Sequence, residues 1–201
     1  MTEGLYKTGG NRAPLIVMYV ILSFLRKIEP RQVTEMFWGD YSSVDILLVD
    51  SQNITMYRTR PGETFISCTL RKDTMVNLEY FTQQSRFLQI EVTQDEFQKL
   101  SKTCSAFAAV GTPYNRKDYL LHYMPIRIPE DIPLFQVRTL SDSQAVVLFL
   151  RECLSTGHRL SLILQTLNSR QVIPETLYDS FFPFSCPLDW TGLCPLLPWS
   201  A

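Results

Sequence analysis

The run VDILLVDSQNITMYRTRPGETFISCTL, Val44 to Leu70, decides the class of fold. It holds three short apolar stretches, 44–49, 54–59 and 64–70, each of strand length and rich in β-branched and aromatic residues. Between them lie Asp50-Ser51-Gln52-Asn53 and Pro61-Gly62. Asp, Ser and Asn turn the chain by bonding their own backbone; Pro fixes φ and Gly frees it. Short connections of this kind join antiparallel neighbours. A fourth strand is expected at 86–92.

Downstream the period changes from two to that of a helix. Thr93 and Glu96 have the spacing of a capping box, in which each side chain satisfies a free backbone donor of the other. Phe97, Leu100, Cys104 and Phe107 follow at helical intervals, and Gly111 suits the stop. Ser141 and Gln144 form a second capping box, followed by Val146, Phe149, Leu150 and Cys153 as a buried stripe, with Gly157 expected to close it. A third helix is expected at 160–167 and a fourth opened by Pro174. Pro125, Pro129 and Pro133 keep the intervening segment irregular.

Upstream, Ala13 to Leu25 reads APLIVMYVILSFL and is almost wholly apolar. A bilayer-spanning helix needs about 20 such residues, so this run is short for crossing. Lys7 and Arg12 precede it as in a signal peptide, but no small-residue cleavage pattern follows. The expectation is a buried helix, with Pro14 near its first turn and Pro30 beyond its end. Membrane association through this run is the alternative.

The chain has 201 residues, 45% of them apolar, which suits one domain with a real core. Residues 1–180 are read as a single α+β domain, an antiparallel sheet or small barrel packed against helices. Residues 181–201 are read as a Pro/aromatic-rich tail, with Pro183, Pro187, Pro195 and Pro198 among Phe182, Phe184, Trp190 and Trp199. With 19 basic and 20 acidic residues, no charge excess points to nucleic acid. Cys68, Cys104, Cys153, Cys186 and Cys194 are odd in number and lack close pairs, which does not resemble a secreted disulfide framework. An intracellular, cytoplasmic setting is expected. The cysteine spacings make no zinc ligand set, and only His122 and His158 offer imidazole. No phosphate-binding glycine loop or dinucleotide fingerprint occurs, so neither metal nor cofactor is expected.

The order of these segments resembles the circularly permuted branch of the NlpC/P60 superfamily, a papain-like group. Residues 44–49 resemble its "G-D-I-L" strand, with Val44 in place of the glycine. Gly111-Thr112-Pro113-Tyr114-Asn115 resembles its "G-x-P-Y-D/N" turn, and 141–147 its "C-S-E/Q" helix start. Pro174-Glu175-Thr176-Leu177 resembles its closing "P-x-x-L" element. The resemblance implies a papain-like permuted fold with a cysteine at the helix start and a histidine on the strand after "G-D". Here those slots hold Asp142, beside Ser143, and the stretch from Asn53 through Thr55 to Tyr57, which has no histidine. The group includes members from large DNA viruses, so the resemblance also implies a viral source and a host-cell setting.

A papain-like site depends on a thiolate favoured by a helix N-terminus and a neighbouring imidazole. A carboxylate at Asp142 is a poor acyl-transfer nucleophile, because its attack on an amide would give an anhydride with no activating base. The leading expectation is therefore a pseudoenzyme, a hydrolase scaffold kept as a binding or regulatory module for a protein partner. A cysteine or serine hydrolase with a relocated nucleophile is the second expectation, and a membrane-associated or assembly protein the third. Ser143 would need a base from His122 or His158.

Overall fold

In the computed structural model the run at 44–70 folds into three consecutive antiparallel strands: β2 Tyr41–Val49, β3 Ile54–Arg58 and β4 Ile66–Leu70. The structure describes residues 18–26, 40–50, 53–60, 62–70, 85–115, 129 and 133–188. Asp50 and Asn53 close the first turn: Asn53 N–H donates to Asp50 Oδ1 at 2.7 Å and Asp50 N–H to the Asn53 carbonyl at 3.0 Å. Gly62 takes φ 87°, a conformation few other residues adopt.

Two more strands sit beside this meander. β1, Met18–Arg26, pairs with β2 on one side and with β5, Ser85–Val92, on the other. A last short strand, β6 at Cys186–Leu188, pairs with β5. The result is an open six-stranded antiparallel sheet in the order β4-β3-β2-β1-β5-β6. Of the two arrangements expected, the open sheet is the one formed.

The apolar run at 13–25 is therefore not a helix where it is described; from Met18 to Leu25 it belongs to β1, one of the two central strands. Leu22 lies opposite Ile46 of β2 and opposite Leu88 of β5. Val20, Leu22 and Phe24 enter the larger core, and Ile21 enters a second cluster with Leu47, Val49, Ile54, Leu70 and Phe87. A strand buried on both faces is apolar at every position, so it loses the two-residue alternation that distinguishes a strand from a buried helix.

The helices cover one face. They are α1 Gln94–Val110, α2 Asp142–Cys153, α3 Ser161–Thr166 and α4 Pro174–Phe181. Both expected capping boxes are present, at Thr93/Glu96 and at Ser141/Gln144, and Gly111 stops α1 in the left-handed conformation. α2 ends at Cys153 with Leu154 as its cap, so Gly157 lies beyond the stop rather than making it. α2 is buried over all of 142–150, more than the single stripe expected, because it runs through the core. Among the described residues no helix is long and apolar enough to cross a membrane.

The segment read as a tail starts inside the domain. Phe181 is a core residue, 182–184 form a 3-10 turn, and β6 extends the sheet. Pro187 sits on this edge strand, where a missing N–H costs no ladder bond. His122, Cys194, Trp190 and Trp199 lie outside the described residues.

Candidate functional site

The start of α2 is where the family resemblance implies a catalytic position, and in the fold Asp142 there makes contacts to β2. Ser141 caps the helix: Gln144 N–H donates to Ser141 Oγ at 3.2 Å and Ser141 N–H donates to Gln144 Oε1 at 3.4 Å. Asp142, the first helical residue, is only 3% exposed. Its Oδ2 accepts the Val44 N–H of β2 at 2.9 Å, and its Oδ1 accepts the Ser143 N–H at 2.8 Å. The β2–β3 ladder covers Ile46 to Val49, so Val44 lies beyond it and has its N–H satisfied by the carboxylate. The positive end of the helix also favours an anion at this position.

Three segments that carry the family resemblance meet here. Tyr114 bridges to Leu140, with Asn115 N–H donating to the Leu140 carbonyl at 3.0 Å and Leu140 N–H to that of Pro113 at 2.9 Å. On its other side, Phe65 N–H donates to the Thr112 carbonyl at 2.7 Å and Tyr114 N–H to that of Glu63 at 3.1 Å. Residues 112–115 thus tie the approach to β4 to the start of α2, while Asp142 ties α2 to β2.

Asn53 and Thr55 do not join them. Thr55 lies opposite Leu48, four residues along β2 from Val44, or about 13 Å at strand spacing. Asn53 lies beyond the end of β3, exposed in the turn with Asp50. Continuing the register from Ile46 and Tyr57 by two residues brings Thr59, not Thr55, level with Val44. Ser143 Oγ and Thr59 Oγ1 are both buried without a hydrogen-bond partner among the described residues. Ser143 therefore has no base hydrogen-bonded to it, the arrangement that activates a serine.

The other candidate nucleophiles and bases have structural uses. His158 Nδ1 accepts the Leu160 N–H at 3.1 Å, which makes the ring a donor at Nε2 toward the Glu91 carbonyl at 2.9 Å. This pins the α2–α3 turn to β5. Cys104 and Cys153 are buried in α1 and α2, and burial pushes both thiols up, that of Cys104 well up. Both are poor thiolates. Cys68 is half-buried against the second apolar cluster, as its strand pattern predicts, and Cys186 is exposed on β6. Among the described residues no group of three His, Cys, Asp or Glu side chains is placed to hold a metal ion.

An open depression of about 230 Å³ lies on the other side of the α2 start. Gln144 and Leu148 of α2, Asn115, Gln136, Arg138, Thr139, Ser169 and Arg170 contribute to its wall. Asn115 belongs to the family-like turn and Gln144 to the capping box. The two arginines escaped sequence reasoning. Each is a lone charge in an irregular stretch, and only the fold brings 138 and 170 to one rim. Glu96 was also read only as a cap, although its second oxygen accepts the Ser155 N–H at 2.8 Å and fastens α1 to the end of α2.

Compared with protein-family models, curated proteins and solved structures, the chain matches none.

Proposed function

We propose that this chain is a non-catalytic binding module, a hydrolase-type scaffold of the kind that its resemblance to the permuted NlpC/P60 group implies, with the chemistry removed. The observation that carries the reading is the employment of Asp142. In the slot where that group holds its nucleophile, this carboxylate is sealed and committed to Val44 and Ser143. The residue level with it on the β3 side is Thr59, whose hydroxyl is not a base at neutral pH. The separation of Asn53 and Thr55 from Asp142 supports no catalytic pair between them. Under this reading the function is recognition, in a cytoplasmic setting, of a partner or ligand at the open surface beside α2.

Serine- and thiol-directed activity probes test this on the purified full chain. The expected outcome is no saturable, heat-sensitive labelling. Labelling of one residue that disappears when that residue is replaced would establish a relocated nucleophile and overturn the proposal. Asp142→Cys is expected to stay unlabelled by substrate-like probes, because no imidazole faces it among the described residues.

A further inference from the structure

From the depression beside α2 we infer a binding site for a phosphate group, carried by a small ligand or free. The inference rests on the reading of the chain as a binding module and names the chemistry of what that module takes. Arg138 and Arg170 line the same small volume. No acidic side chain among the described residues lines it with them. Two guanidinium groups drawn from separate segments repel each other unless an anion lies between, and the planar fork of each matches two oxygens of a phosphate.

Other groups complete a polar wall. Thr139 and Ser169 bring hydroxyls, and Asn115, Gln136 and Gln144 bring amides. The Oε1 of Gln144 is taken by the Ser141 N–H, so its amide donors remain for the depression. Arg170 is steadied by a bond from its Nη1 to the Pro129 carbonyl at 3.2 Å. Arg138 is exposed and has no hydrogen-bond or ion-pair partner among the described residues. The helix end does not bind the anion itself, because its first N–H groups are occupied by Ser141 and Asp142. At about 230 Å³ the space is below that of a drug-sized pocket, and suits a phosphate with little more than its ester carbon.

Amide and arginine Nε chemical shifts of the full chain, followed during titration at constant ionic strength, test the site. Inorganic phosphate, glycerol phosphate and acetate are the ligands, with chloride as the balancing anion. The expected result is saturable movement of the Asn115, Gln136 and Arg138 signals with phosphate. Arg138→Ala should weaken binding about tenfold, the effect of losing one charge-assisted contact, and Arg138→Glu should abolish it. Tighter binding of glycerol phosphate would assign a phosphate ester, and equal binding would assign the free anion. Because Arg138 is exposed, its variants keep the fold, which the same spectra verify. Acetate binding as well as phosphate, shifts that do not saturate, or unchanged affinity in Arg138→Ala would each overturn the site. Such a failure would remove the ligand class while leaving the non-catalytic reading to the probe experiment, so the two failures are distinguishable.

Discussion

Glu96 shows how a single carboxylate can be fixed in this protein by what surrounds it. Burial raises its pKa, yet hydrogen bonds from the backbone and hydroxyls of Thr93 and Ser155 outweigh burial and hold it at about 2, below its ordinary 4.5. The charged form is thus the one the fold prefers. Its stabilising contribution is present in full above about pH 4.5 and is lost as pH falls towards 2. A shift of this size corresponds to about 3 kcal/mol at most. Urea unfolding between pH 7 and pH 2.5 should show that loss, and Glu96→Gln should be less stable at pH 7 with a flatter acid limb. An equally steep acid limb in Glu96→Gln would place the loss on other carboxylates. The cap itself was legible, because Thr93 and Glu96 stand three apart before an apolar run. The bond to Ser155 was not, because it spans 59 positions of sequence.

Among the elements, β1 separates what sequence can carry from what it cannot. Three strands of the meander were readable because turn residues bound them. β1 lies in an uninterrupted apolar run that fits either a buried strand or a buried helix. The enrichment of Val, Ile, Tyr and Phe at 19–24 is the signal for a strand. Because β1 is an interior strand paired on both sides, its amides should be among the slowest in the molecule to exchange with solvent. Leu22→Ala should cost 2–5 kcal/mol, about the usual range for emptying a core leucine site. Fast exchange over 20–24 with intact neighbours would contradict the topology. Helix starts are more local. Thr93→Ala and Ser141→Ala should each lose about 1 kcal/mol in thermal or urea unfolding. The depression beside α2 is invisible to local patterns, because Arg138 and Arg170 come from separate segments that only the fold brings to one wall.

For the whole molecule, the question is what joins the sheet to its helical layer. Apolar burial supplies most of the attraction, through the cluster that runs from Val20 and Leu88 to Phe149 and Leu177. Polar ties help fix the register of that docking, among them residues 112–115 between the approach to β4 and Leu140, and Asp142 on Val44. The family resemblance marks Asp142 only as a residue standing where a cysteine would be expected. It could not show that the carboxylate faces a backbone N–H from 98 positions away. If Asp142 serves assembly, the fold depends on it; a carboxylate kept for chemistry usually costs stability, and replacing it leaves the fold neutral or stronger. The decisive measurement is the equilibrium unfolding free energy of Asp142→Ala against the unaltered chain at pH 7. The expected result is a loss of about 1.5–3 kcal/mol, that of a buried hydrogen bond to a charged group, with partial recovery in Asp142→Asn. A variant as stable as the unaltered chain, or more stable, would contradict a structural role for Asp142 and return it to the list of reactive groups.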